Sequence, residues 1–212
     1  MAQNRLNLAV LLSGGGTTLQ NLIDHVEAGK LNATIALVIS SRKDAYGLVR
    51  AAKHGITAVC VNRRGYKELG DFNRAINHHL NQYEIDLIIM AGFLSFFKPD
   101  EKYKGKMMNI HPALIPAFSG KGFYGHRVHE AALSYGVKIS GCTVHFADEE
   151  GYDMGPIILQ EAVEVKDDDT VETLAARVFE KECELYPKAI QLYAEGRLKV
   201  EGRHVRIVEA QS

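Results

Sequence analysis

Over roughly its first ninety residues the chain alternates two hydrophobic periodicities, and this restricts the fold more than any other property. "LNLAVLL" at 6–12 is apolar almost throughout, the pattern of a strand covered on both faces. After a glycine cluster, Leu19, Leu22, Ile23 and Val26 recur at helical spacing, and Gly29 ends the helix. "ATIALVIS" at 33–40 is a second strand, followed by a helix carrying Ala45, Leu48, Val49 and Ala52 and stopped by Gly55. "ITAVCV" at 56–61 is a third strand. Leu69, Phe72, Ile76, Leu80 and Tyr83 mark a third helix, and "IDLIIMAG" at 85–92 a fourth strand. Strands separated by helices pair in parallel through right-handed crossovers. The expectation is an α/β fold with a doubly wound, mostly parallel sheet of Rossmann-like type.

From about residue 106 the pattern changes. "KMMNI" at 106–110 is a short strand, and a long loop then runs to Gly125. A helix is expected over 126–135, strands over 137–147 and 156–165, and a helix capped by Thr170 and reaching Glu195, kinked at Pro187. Residues 197–208 read as a closing hairpin with its turn near Gly202. Neither repeat nor linker interrupts the chain, so 1–212 is expected to be one domain with two halves, 1–105 and 106–212.

Composition narrows the function. With 25 basic and 26 acidic residues the net charge is −1, which leaves no electrostatic footprint for nucleic acid. Cys60, Cys142 and Cys183 are odd in number and lack a CxxC, which suits reduced thiols in a cytosolic protein. The longest apolar stretch, 87–97, is too short to span a bilayer. A cytoplasmic protein without membrane or nucleic-acid partners, monomeric or homodimeric, is expected.

Two segments carry chemistry. In "SGGGTTLQ" at 13–20, Gly14, Gly15 and Gly16 let a ligand approach the backbone. The free N–H groups of the helix start, with Thr17 and Thr18, attract an anion such as a phosphate. The segment is neither a Walker loop nor G-x-G-x-x-G. In "MMNIHPALIPAF" at 107–118, alternation along an extended chain puts Asn109 and His111 on one face, and Pro112 and Pro116 then hold the chain extended. An amide and an imidazole aimed at one point can hold an oxygen that gains negative charge. If Asp153 reaches the imidazole, its charge favours the protonated form. His126 and His129 share a helix face but lack a third ligand, so no metal is expected. His145 is expected to be a buried partner of the site or the core.

"LLSGGGTTLQNLID" at 11–24, "AGFLSFF" at 91–97, "NIHPALIP" at 109–116 and "GCTVHFADEEGYDMGPIILQ" at 141–160 together resemble the phosphoribosylglycinamide formyltransferase family. The resemblance runs from about residue 6 to about 200, with the motifs in the family's order. It implies transfer of the formyl group of 10-formyltetrahydrofolate to the amine of 5'-phosphoribosylglycinamide in purine biosynthesis, without metal or covalent intermediate. It implies that Asn109 and His111 stabilise a tetrahedral intermediate and that Asp153 assists the histidine. Gly14 to Thr18 would bind the substrate phosphate and Glu182 the glycinamide. Phe93, Leu94, Ser95, Phe96 and Phe97, with Asn109 and the loop of Ala147, Asp148, Glu149 and Asp153, would hold the folate. The alternatives are a formyltetrahydrofolate deformylase, in which water attacks, and a non-catalytic nucleotide-binding module; a methionyl-tRNA formyltransferase fits the neutral charge poorly.

Overall fold

The structure, a computed structural model, describes residues 5–147 and 151–209 of the chain. These form two compact units that divide between Met108 and Asn109.

The first unit follows the alternation closely. Strands β1 (Leu6–Leu12), β2 (Ala33–Ser40), β3 (Ala58–Cys60) and β4 (Leu87–Met90) are separated by helices α1 (Thr17–Glu27), α2 (Tyr46–Lys53) and α3 (Leu69–Leu80). The strands run in parallel in the order β3-β2-β1-β4. β1 lies inside this order, and Leu8 to Leu12 are fully buried, which is why its sequence carries no polar face. β3 ends the order, pairs on one side, and is shorter than the apolar run at 56–61 suggests. α1 stops where Gly29 takes a φ of 68°, as its position after the last apolar residue implies. β5 (Met107–His111) carries the chain across the division.

In the second unit α4 (His126–Tyr135) precedes β6 (Ile139–Phe146) and β7 (Ile157–Glu164), which pair antiparallel. Helix α5 (Val171–Ala194) then leads to the hairpin of β8 (Leu198–Glu201) and β9 (His204–Ile207), and β9 pairs in parallel with β7. Thr170 caps α5 reciprocally: its hydroxyl accepts the Thr173 N–H at 3.3 Å while Thr173 Oγ1 accepts the Thr170 N–H at 2.9 Å. The helix continues unbroken through Pro187, with Leu174, Val178, Leu185, Tyr186 and Ile190 buried. One expectation fails here. After His111 the chain does not stay extended; residues 115–118 form a turn in which the Leu114 carbonyl accepts the Ala117 N–H at 3.0 Å. That turn brings the 118–120 backbone back to the end of β5.

In the first unit, two glycines let the loop after β1 lie against α2. A Cβ on Gly16 would stand 2.6 Å from the Gly47 Cα, and a Cβ on Gly47 would meet Leu12 at 2.5 Å. Gly16 also has a φ of 70°, a conformation unfavourable to L-residues. Gly16→Ala is therefore expected to lower stability by roughly 1–3 kcal/mol. Urea denaturation against the parent protein measures this; an unchanged midpoint would refute the close packing.

Candidate active site

Asn109 and His111 stand two residues apart on β5, and both side chains reach Asp153. Asn109 Nδ2 donates to Asp153 Oδ1 at 3.3 Å, and His111 Nδ1 lies 3.4 Å from Oδ2. The Gly120 N–H, delivered by the turn after β5, donates to the same Oδ2 at 3.0 Å. His145 on β6 brings Nε2 to 3.5 Å from Oδ1. The Asp153 side chain is only 9% exposed, so these contacts replace much of the water a carboxylate would otherwise keep. Asp153 and Phe118 are the non-glycine residues with positive φ among those described, at 58° and 48°. Both hold groups against His111: Asp153 offers its carboxylate to Nδ1, and the Phe118 carbonyl accepts from Nε2 at 2.8 Å.

Hydrogen positions follow from the partners. His145 Nδ1 faces the Phe146 carbonyl at 2.9 Å, and a carbonyl only accepts, so Nδ1 carries the proton. Nε2 of a neutral His145 is then an acceptor, filled by Asn109 Nδ2 at 3.1 Å. Both amide hydrogens of Asn109 are thus held, one by His145 and one by Asp153. The sequence suggested a buried partner role for His145 but not that it fixes which way the amide points.

Burial lowers the pKa of His111 below the ordinary imidazole value. The Asp153 charge and the Phe118 carbonyl pull upward without overcoming it, and His145 adds to the depression. The expectation that Asp153 keeps this imidazole charged is corrected: desolvation is the larger force. For Asp153 burial raises the pKa, but the adjoining His145, the His111 charge and the Gly120 N–H together bring it below the usual carboxylate range.

Within the first unit, Gly14, Gly15 and Thr17 are exposed, Thr18 is half-buried and Gly16 is buried against α2. Among the described residues no partner takes the N–H of Gly15, Gly16, Thr17 or Thr18. The first turn of α1 holds no acidic side chain, so its positive end is uncompensated. The same loop is tied to the segment after β4. The Ser13 N–H donates to the Gly92 carbonyl at 3.1 Å, and the Leu94 N–H donates to Ser13 Oγ at 2.9 Å. Leu94 is exposed and Ser95 and Phe96 are half-buried, whereas Phe93 and Phe97 are buried. The Phe93 ring stacks on Phe72 with centroids 6.3 Å apart, so it serves the core.

In the second unit, Glu182 lies half-buried on α5, and burial pushes its carboxyl up to about 7. It stands near Cys142 of β6, whose thiol is pushed up to about 12, first by burial and then by the Glu182 and Glu161 charges. A carboxyl that titrates near neutrality is suited to a basic or hydrogen-bonding ligand group. Ala147 is half-buried at the end of β6, while Asp148 and Glu149 lie outside the described residues. His126 is exposed but His129 is buried, its Nδ1 without a partner, and burial lowers its pKa to about 4. Among the described residues no three His, Cys, Asp or Glu side chains cluster to hold a metal.

A parallel α/β unit with a glycine-rich first turn, followed by a unit carrying a buried Asn–His–Asp set, is the arrangement of an α/β protein with a candidate active site. The chain belongs to the formyl transferase family, whose profile matches residues 6–190. It is 38% identical over 195 residues to the phosphoribosylglycinamide formyltransferase of Haemophilus influenzae, covering 91% of this chain and 89% of that protein. It is 42% identical over 200 residues to the trifunctional purine biosynthetic protein adenosine-3 of Homo sapiens, covering 93% of this chain. It spans about a fifth (19%) of that longer protein. The crystal structure of glycinamide ribonucleotide transformylase 1 from Symbiobacterium toebii superposes with a TM-score of 0.90 at 42% identity, covering 97% of this chain and 95% of that one.

Two titrations test the site. A carboxyl titrating near 7 is expected in the ligand-free protein and should vanish in Glu182→Gln, as followed by carboxyl carbon NMR. Asp153→Asn removes the charge that holds His111 up, so the imidazole pKa falls further. If neutral His111 is the base, the acid limb of kcat/KM moves to lower pH. A pH–rate profile that keeps its limb in place would exclude Asp153 as the partner of His111.

Proposed function

We propose that the protein transfers the formyl group of 10-formyltetrahydrofolate to the amine of 5'-phosphoribosylglycinamide, a step of purine biosynthesis. The single observation that most supports this is the convergence of Asn109, His111 and Asp153, from β5 and from 42 residues later, on one buried cluster. In this reading the acceptor's own amine is the nucleophile, so no serine or cysteine is required. This agrees with Cys142, a thiol held protonated by burial and by nearby carboxylates.

Attack on the formyl carbon gives a tetrahedral carbon with an oxyanion. Asn109 stabilises it with an amide N–H released from Asp153, the longer of its two bonds at 3.3 Å. His111, neutral in the free protein, takes the amine proton directly or through water. The resulting imidazolium then faces the ionised Asp153 at Nδ1. The glycine loop from Gly14 to Thr18 binds the acceptor phosphate, and Glu182 holds its glycinamide. Leu94, Ser95 and Phe96, with Ala147 and the segment reaching Asp153, contact the folate. In this reading the first unit carries the phosphate-binding loop and the Leu94–Phe96 segment, and the second carries Asn109, His111, Asp153 and Glu182. No helix among the described residues is long and apolar enough to cross a membrane. In this reading the site of action is the cytoplasm.

Asn109→Ala is expected to lower kcat by on the order of 10²–10³ with KM values changed only a few-fold. Incubation with 10-formyltetrahydrofolate alone separates the deformylase alternative. Formyl transfer only when the amine acceptor is added supports the transferase, and rapid formate release without it would replace this reading.

A further inference from the structure

Arg50 takes no part in the roles assigned so far, yet its guanidinium is built into the back of the glycine loop. Its Nε donates to the Gly15 carbonyl at 2.9 Å, and its Nη1 donates to Gln20 Oε1, on α1, at 3.1 Å. The Tyr46 ring lies under it, 5.1 Å from Cζ to centroid. One turn earlier on α2, the Gly47 N–H donates to the Gly14 carbonyl at 3.1 Å. Two consecutive carbonyls of the loop are therefore drawn toward α2.

A trans peptide is planar, with C=O and N–H pointing opposite ways. Turning the Gly14 carbonyl to Gly47 aims the Gly15 N–H away from α2. Turning the Gly15 carbonyl to Arg50 does the same for the Gly16 N–H. The Gly16 carbonyl accepts the Gln20 N–H at 2.9 Å, so the next peptide already has the direction of helix α1 and leaves the Thr17 N–H outward. Successive N–H groups facing one side form a concavity that suits an anion, and here its shape is imposed from behind. Gly16 is pressed against Gly47, which fixes the distance; Arg50 fixes the rotation of the peptide plane. Gln20 in turn is held by Asp24 at 2.9 Å and by His54 Nε2 at 3.1 Å, so the guanidinium rests on a braced partner.

We propose that Arg50 is a positioning residue for acceptor binding: by holding the Gly15 carbonyl it pre-orients the Gly16 N–H toward the substrate's phosphate. The inference rests on the proposed phosphate role of the glycine loop and extends it to a residue behind the loop. Lysine does not replace arginine here, because a single ammonium cannot hold the Gly15 carbonyl and Gln20 in the same fork geometry.

The test uses the full chain with Arg50→Lys, Arg50→Met and Gln20→Leu, the last loosening the guanidinium without removing it. Titration with ribose 5-phosphate, followed by amide NMR, reads the loop directly. In the parent protein the Gly15 and Gly16 amide signals should shift on saturation. In Arg50→Lys and Arg50→Met the affinity should fall about tenfold and the Gly16 shift should shrink, with a smaller loss of the same kind in Gln20→Leu. In turnover, KM for phosphoribosylglycinamide should rise by a similar factor, while kcat and KM for the formyl donor stay within twofold. An affinity loss under threefold in Arg50→Lys, or equal losses for donor and acceptor, overturns the inference. If Arg50→Met does not fold, Arg50→Lys and Gln20→Leu decide by the same criteria. Failure of the parent protein to bind ribose 5-phosphate overturns the phosphate role of the loop itself, a different result from a parent that binds and variants that match it.

Discussion

A buried carboxylate is costly unless its hydrogen-bonding capacity is met, and Asp153 accepts from the Asn109 amide and the Gly120 N–H with two imidazoles beside it. Asn109 and His111 approach from β5, Gly120 from the turn that follows, and His145 stands beside it from β6. Each is a different part of the second unit, so one ionised group fixes where β5 ends, how the next turn folds and which way the Asn109 amide points. The positive φ values at Asp153 and Phe118 fit this account. Backbone conformations costing of order 1–3 kcal/mol persist where surrounding contacts over-determine them, and both residues deliver a polar group to the same imidazole.

The first unit solves a different problem, presenting bare backbone N–H groups without letting the loop collapse. It does so through close approach. With glycine at both 16 and 47, the loop rests on α2 with no side chain between them. Ser13 then joins the loop to the segment after β4, accepting from the Leu94 N–H and sharing a 2.6 Å hydroxyl contact with buried Ser41. The segment that exposes Leu94 is therefore anchored at the same serine that opens the glycine loop. A change at Ser13 would disturb both.

Much of this was legible in the sequence because strands and helices are written in hydrophobic period. β1, β2 and α1 lie where Leu6 to Val26 and 33–40 place them, and Thr170 caps α5 as its position before the apolar repeat implies. Strand ends were less legible: β3 and β4 are shorter than their apolar runs, since ladder pairing rather than hydrophobicity sets the boundary. The site was only partly legible. Alternation paired Asn109 with His111, but nothing local links them to Asp153, and that link came from resemblance. Phe118 and Gly120 contribute through backbone atoms, which no side-chain pattern reveals. Arg50 reads as an ordinary helix cation, and only the carbonyl it holds sets it apart.

The same limit applies to the charge state of His111. Counting charges gives one carboxylate beside one imidazole and implies a raised pKa; only coordinates supply the burial that opposes it. The two tendencies meet in one side chain. Both nitrogens of His111 face acceptors, Asp153 at 3.4 Å and the Phe118 carbonyl at 2.8 Å, an arrangement suited to the imidazolium. Its burial favours the neutral ring. A neutral ring with its proton on Nε2 satisfies Phe118 and turns the Nδ1 lone pair toward the carboxylate, and a second proton converts that contact into a charge-assisted hydrogen bond. Taking up a proton thus costs desolvation and gains a partner in the same event. This opposition narrows the free-energy gap between base and conjugate acid, as a group that accepts a proton and gives it up again within one catalytic cycle requires.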